Sequence, residues 1–246
     1  MALLSAPYLS SQSYLPMNDL PIWDQLLRRY VDQAGRVDYE AWSTHDPQTL
    51  CSWLAQQSAD TNGREDHLAH WINLYNAFTI QSVLSAYPIA SIRPTLMGLP
   101  NWIAFLRFFQ RRVHRLGNEL FSLAQIENRM LRQITADPRI HFAIVCASIG
   151  CPLLRHEAYT PERAEEQLEQ DVSRFINNPA KVRFDAERGV LHCSKIFRWY
   201  KADFLAVAPS LPDYILPRIQ GVPATLHQPR VAFLPYDWSL NQRMSS

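Results

Sequence analysis

At 246 residues, 47% of them hydrophobic and 19% charged, the chain is long enough to bury one substantial core and reads as a single globular domain. Its 24 Lys and Arg against 23 Asp and Glu leave a formal net charge of +1, which gives no long-range field for gathering polyanions and argues against nucleic acid or a membrane as partner. Four cysteines are too sparse for a disulfide scaffold, so they are expected as free thiols in a reducing, cytoplasmic setting.

The first 20 residues hold no Lys or Arg and are interrupted by Pro7 and Pro16, which fits neither the basic start nor the unbroken apolar centre of a signal peptide. Residues 1–18 are therefore expected as a flexible N-terminal extension, and 19–246 as the globular domain. No apolar run approaches the roughly 20 residues of a spanning helix. The seven glycines are widely separated, so no clustered phosphate-binding loop occurs. The motifs H-E-x-x-H, G-x-S-x-G and C-x-x-C are absent as well, and no cofactor or resident metal is expected.

Taken in order, Asp19-Leu20-Pro21 starts a helix whose Trp23, Leu26, Leu27 and Tyr30 recur at helical spacing until Gly35. Arg36 to Tyr39 reads as extended, and a second helix is expected over about residues 47–56, with Cys51 packed on its apolar face. The strongest helical segment runs from about Glu65 to Tyr87, stopped by Pro88. Its apolar residues surround the axis, the mark of a helix buried on most sides. Asn73 and Asn76 then share a face in apolar surroundings. Each either ties down neighbouring backbone or faces a substrate, because an unsatisfied buried amide costs about 1–3 kcal/mol.

Beyond a proline-punctuated stretch, Arg111 to Ser122 reads as a hairpin turning at Gly117-Asn118. The arginines 107, 111, 112 and 115 beside Phe108 and Phe109 suggest a nucleic-acid patch, but near-neutrality favours a solvated face. Ser122 with Gln125 forms a capping box opening a helix toward Asp137-Pro138. Thr160-Pro161 starts an amphipathic helix ending at Asn178-Pro179. Lys181–Phe184 and Val190–Cys193 form a second hairpin, and Ser194 caps a short helix carrying Lys195, Trp199, Tyr200 and Asp203. A last strand, V-A-F-L, precedes an apolar C-terminal segment that should dock on the core.

Chemistry concentrates between Arg139 and Pro152, R-I-H-F-A-I-V-C-A-S-I-G-C-P. Read as a strand over 140–145, this stretch puts His141 and Cys146 on opposite faces, roughly 16 Å apart at about 3.3 Å per residue. A thiol–imidazole pair then needs a bulge, a turn that folds Cys151 back, or a base from another element. Nucleophilic catalysis by cysteine requires a base within about 3 Å and a site that stabilises thiolate, such as a helix N-terminus or a nearby cation. The plainer alternative makes His141, Cys146 and Cys151 buried packing residues. Metal binding by these cysteines with His156, His192 and Cys193 matches no common zinc spacing. A reversible Cys146–Cys151 disulfide is a further alternative.

Six segments carry a family resemblance: G-R-V-D-Y at 35–39, W-I-N-L-Y-N-A at 71–77, S-L-A-Q-I-E at 122–127, D-P-R-I-H-F-A-I-V-C-A-S-I-G-C-P at 137–152, S-K-I-F-R-W-Y-K-A-D-F at 194–204 and Y-D-W-S-L-N at 236–241. On these the chain resembles the domain of unknown function 547 family. The resemblance implies no established activity. It does imply that His141, Cys146, Cys151, Asn73, Asn76, Glu127, Ser194, Lys195, Trp199, Tyr200 and Asp203 occupy motif positions. Where the family often has a histidine after the motif's I-E, this chain has Asn128.

The expected architecture is α+β, a helix-rich single domain around a small, mostly antiparallel sheet, similar in layout to papain-like and transglutaminase-like enzymes. The expected function is cysteine-dependent acyl transfer or hydrolysis on an amide or thioester. Cys146 or Cys151 is the nucleophile, His141 the base, and Asn76 or turn amides polarise the carbonyl. Asn73, Asn76, Glu127, Ser194, Lys195, Tyr200 and Asp203 line the site for an unidentified small-molecule or peptide ligand. The competing expectation is a non-catalytic binding or scaffolding domain with a buried Asn/His/Cys hydrogen-bond network.

Overall fold

A computed structural model describes residues 20–59, 68–97, 99–222 and 229–243. The expected extension over 1–18, the approach to the long helix at residues 60–67 and part of the proline-rich tail lie outside these residues.

The chain opens with α1 (Leu20–Tyr30), whose Trp23, Leu26, Leu27 and Tyr30 are buried as their spacing requires. Residues 36–38 are extended only briefly. Asp38 then accepts the Ala41 N–H and caps α2 (Tyr39–His45), a helix the sequence reading did not include. α3 (Pro47–Ala59) follows, packing Trp53 flat against Trp23 at 5.5 Å between ring centres. Cys51 does not pack inward as expected: it is exposed, with its sulfur accepting from Gln81. α4 (Leu68–Ala86) is buried along most of its length, from Trp71 through Phe78 to Val83, as apolar residues on all sides demand.

A two-stranded turn, β1 (Thr95–Leu96) with β2 (Leu99–Pro100), leads to α5 (Trp102–Gln110), none of whose residues is fully buried. The expected hairpin is present as β3 (His114–Leu116) and β4 (Glu119–Phe121), with Gly117 turning the chain at φ 58°. Ser122 and Gln125 make the reciprocal capping box over α6 (Leu123–Gln125). That helix widens into a π-helical segment, Ile126–Leu131, before α7 (Arg132–Ile134).

The apolar stretch after Pro138 is not the expected strand. It begins as a single helical turn, α8 (Ile140–Ala143), and becomes extended only at Ile144. Asp137 favours this locally, since its carboxylate accepts the Arg139 N–H in the Pro138-Arg139 turn that leads into α8. The pair read as a helix stop is also a helix start.

α9 (Ala164–Ile176) begins later than Thr160-Pro161, and the Thr160 N–H is instead satisfied by the Gln167 side chain. β5 (Val182–Asp185) and β6 (Val190–Cys193) pair antiparallel, and Ser194 Oγ accepts the Ile196 N–H at the start of α10 (Ile196–Trp199). The expected single helix breaks at Tyr200 into α10 and α11 (Lys201–Leu205). α12 (Leu211–Ile215) and β7 (Arg230–Phe233) complete the fold, β7 lying parallel to β6 in an otherwise antiparallel set of small sheets.

Two apolar cores result. One gathers α1 to α4 with the 121–131 region, and the other gathers α9, β5, β6 and α10 to α12. α8 straddles them: Ile140, Ala143 and Val145 join the first, while Phe142 packs among Phe175, Phe197 and Phe204 in the second. The central stretch thus sits on the seam between two packed bodies. The C-terminal segment closes the seam from outside, as its apolar character predicted. Ile149 N–H bonds Ser239 O, Gly150 N–H bonds Asp237 O, and Asn241 N–H bonds Ala147 O. Asn241 also accepts from the Tyr39 hydroxyl and donates to Gly35 O.

Candidate functional site

Cys146 lies at the mouth of a tight turn. Ala147 follows it at φ 61°, a left-handed conformation that costs a non-glycine residue roughly 1–2 kcal/mol. Such strain persists only where surroundings enforce it. Here the enforcement is the Asn241 N–H on Ala147 O and the Cys151 N–H on Ser148 O. Gly150 is required for a second reason: a Cβ there would lie 2.8 Å from Asp237 O and from the Tyr236 ring. Lys181, reaching across from the start of β5, donates to the carbonyls of Ile149 and Cys151 and fixes the far limb.

The turn wraps the Cys146 sulfur in donors. Ser148 Oγ lies 3.0 Å from it and the Tyr236 hydroxyl 3.3 Å, and these two oxygens are 3.3 Å from each other. Burial alone would push the Cys146 thiol up, but hydrogen bonding from Cys151, Ser148 and Tyr236 outweighs it and holds the thiol below its ordinary range. Cys151 is its opposite. Buried, and facing any charge on Cys146, it is pushed well up, although the Cys146 N–H at 2.8 Å from its sulfur pulls the other way. Ionisation of the pair is therefore favoured on Cys146, the less buried member, over Cys151.

Above this turn opens a cavity of about 410 Å³. Cys146, Cys151, His141 and Glu127 line it together with eight aromatic side chains, among them Tyr75, Trp199, Tyr200, Tyr236 and Trp238. Glu127, from the π-helical segment, has its carboxyl raised, chiefly by burial, with the Tyr200 hydroxyl bonded to it acting in the opposite sense.

His141 reaches the cavity because α8 is helical, so the separation expected from strand alternation is overturned. Its Nε2 is 2.7 Å from Asp203 Oδ2, and Asp203 Oδ1 pairs with Arg132 at 2.6 Å. Tyr200 stacks on the imidazole with ring centres 3.7 Å apart. Burial lowers the ring pKa to about 4 against the pull of Asp203, so the imidazole is neutral at pH 7. Donation from Nε2–H to Asp203 then leaves the lone pair on Nδ1, which is buried and has no hydrogen-bond partner among the described residues. Neither sulfur is hydrogen-bonded to it. The expected direct thiol–imidazole pair is not formed, because the turn aims the Cys146 sulfur at Ser148 and Tyr236 instead.

The remaining expected residues divide into positioning and peripheral groups. Asn73 is tied down at both ends: its Oδ1 accepts from Trp23 Nε1 and the Tyr159 N–H, and its Nδ2 donates to Tyr159 O. Asn76 donates to Ala143 O and accepts the Val145 N–H, each at 2.9 Å. Both amides are engaged within the fold and neither lines the cavity, so Asn76 is not placed to polarise a substrate carbonyl there. Asn76 instead pins the exit of α8 immediately before Cys146. Ser194 caps α10 and is buried, and Lys195 does not line the cavity. Cys193 sits in the second core with its thiol pushed up to about 12 by burial. Asn128 accepts from Arg132, extending the chain that ends at His141.

Sequence reasoning missed Ser148 and Tyr236 as partners of the sulfur. Ser148 was visible inside the cysteine turn, and Tyr236 in the Y-D-W-S-L-N segment, which was read only as packing. The aromatic wall from Trp102, Phe105 and Phe109 of α5 was not foreseen either.

Residues 59–176 match the family model described as protein of unknown function, DUF547. No curated protein matches the chain, and neither does any solved structure. The DUF547 span carries Asn73, Asn76, Glu127, His141, Cys146 and Cys151, so the resemblance drawn from the sequence segments holds across the cysteine turn. Tyr200, Asp203 and Tyr236 complete the site from beyond the DUF547 match.

Proposed function

We propose that the cavity is a cysteine-dependent acyl-transfer site in which Cys146 is the nucleophile and hydrolysis of a thioester is the reaction. The observation that carries this reading is the partly buried Cys146 sulfur, lining the cavity, which Cys151 and the hydroxyls 3.0 and 3.3 Å away hold below the ordinary thiol range. A thiolate stabilised in this way does not need an imidazole to form it.

In the proposed sequence, the Cys146 thiolate attacks the acyl carbon, a C–S bond forms, and the donor's own C–S bond breaks to release a thiolate. Water then attacks the enzyme thioester. His141 Nδ1 takes its proton, the Cys146 C–S bond breaks, and the carboxylic acid leaves. The neutral imidazole favours a thioester over an amide. With its pKa lowered to about 4 the ring holds almost no proton at pH 7 to give to a departing amine, whereas a thiolate departs without one. The aromatic walls suit an apolar acyl chain.

A second reading, a binding domain without chemistry, is supported by the absence of a hydrogen bond between His141 and either sulfur. Alkylating the native protein across pH and mapping the modified cysteine separates the two. Preferential modification of Cys146 well below the ordinary thiol pKa of about 8.5 supports catalysis. Uniform inertness of Cys146 until denaturation overturns it in favour of binding.

A further inference from the structure

The near-neutral net charge conceals a local asymmetry. From His67 to Asn118 the sequence contains no Asp or Glu, while Arg93, Arg107, Arg111, Arg112 and Arg115 fall in its second half. The last four are exposed, and none makes an ion pair among the described residues. Among the described residues the same stretch carries the most exposed large apolar side chains: Met97 is 96% exposed, Ile103 73% and Leu99 71%, with Trp102 at 54% and Leu106 at 46%. Soluble surfaces seldom gather such side chains without covering them.

Helical geometry explains how α5 serves two masters. At 100° per residue, Trp102, Phe105 and Phe109 share one face, and all three line the cavity. Ile103, Leu106 and Gln110 lie on the next face around, with Arg107 at its edge, and it is this face that is open. Arg93 stacks over Trp102 and Trp238 at 5.1 and 4.8 Å, adding a charge where the open face meets the cavity wall.

We propose that the α5 face, with Met97 and Leu99 ahead of it, docks on an anionic lipid surface, apolar side chains entering the acyl boundary and the arginines engaging headgroups. The chemistry selects lipid over the alternatives. Exposed aliphatic side chains in a stretch that is rich in arginine and holds no Asp or Glu from 67 to 118 are what an interfacial segment presents to anionic membranes. A single-stranded nucleic acid would want several exposed planar rings for stacking, and here Trp102 at 54% is outweighed by the more exposed Met97, Leu99 and Ile103, which are aliphatic. No described helix is long and apolar enough to cross a membrane, so attachment is to the surface. Docked this way, the protein sets the Trp102, Phe105 and Phe109 wall of the cavity beside the acyl chains.

The test is flotation of the full chain with vesicles of phosphatidylcholine alone and of phosphatidylcholine mixed with phosphatidylserine. The protein should float with the mixed vesicles, and raised salt should release it. Arg111→Gln and Arg112→Gln should each weaken partitioning about fivefold. Ile103→Glu with Leu106→Glu should abolish it while leaving the thermal midpoint in place, since both side chains are exposed. Cys146→Ser should float like wild type, because docking does not depend on the thiol. Failure to float with either vesicle, equal flotation with both, or wild-type flotation of the double glutamate variant overturns the proposal. Retention of a single-stranded RNA oligonucleotide in place of vesicles overturns it as well.

Discussion

Removing the Tyr236 hydroxyl isolates one of the three groups that lower the Cys146 thiol. Tyr236→Phe keeps the ring against Trp199 and Trp238, whose centres lie 4.8 and 4.5 Å away, and deletes only the O–H. A hydrogen bond to a charged group contributes about 1.5–3 kcal/mol net, and at 1.36 kcal/mol per pKa unit its loss should raise the Cys146 pKa by about 1–2 units. The 3.3 Å contact places the expectation near the lower figure, and Ser148→Ala, removing the 3.0 Å contact, should shift it further. The two hydroxyls are themselves 3.3 Å apart, so each can partly replace the other and the double variant should exceed the sum of the singles. The assay is the pH dependence of iodoacetamide modification at Cys146, read peptide by peptide. Inflections of both single variants that coincide with wild type would refute the reasoning, because the thiol would then owe its acidity to something other than these hydroxyls.

Further outcomes follow from the same geometry. Asn76→Ala strands the buried Ala143 carbonyl and Val145 amide, which at about 1–3 kcal/mol each should cost about 2–6 kcal/mol in denaturant unfolding; a loss below about 1 kcal/mol would show that Asn76 does not hold the exit of α8. Asp203→Asn should slow turnover of the enzyme thioester by about a hundredfold or more while leaving its formation intact, so the acyl adduct accumulates in the mass spectrum; equal loss of both steps would contradict the role given to His141. His114 is buried against Phe78 with neither ring nitrogen bonded among the described residues, and burial lowers its pKa to about 4. A depressed histidine pKa means that the unfolded chain takes up a proton that the folded chain refuses. Stability is therefore full above about pH 6.5 and is lost toward pH 4, by about 3 kcal/mol for this group. His114→Leu should flatten that part of the acid slope, and an unchanged slope would dismiss it.

What could be read in advance depended on how local the determining forces are. The hairpin at Gly117, the capping box at Ser122 and the buried character of α4 all rest on neighbours in sequence, and all appear where periodicity placed them. The run Ile140–Val145 did not, because a short apolar segment reads equally as strand or helix, and the carboxylate of Asp137 favours the helical turn. That one turn decides whether His141 can reach the cavity at all. The asparagines were legible as awkward buried amides but not as to their partners, since Tyr159 and Val145 lie 86 and 69 residues away. The same holds for the sulfur of Cys146. Its donor Tyr236 is 90 residues off, brought in by a C-terminal segment whose apolar character announced docking but not its target.

The most direct measurement is capture of the acyl-enzyme. The full chain is mixed with a thioester of an apolar carboxylic acid, quenched in acid, digested and weighed. A mass increment equal to the acyl group, confined to the peptide bearing Cys146, absent in Cys146→Ser and persisting longer in Asp203→Asn, is the predicted result. An unmodified Cys146 peptide, or an adduct carried equally by the exposed Cys51, would contradict nucleophilic catalysis at this turn.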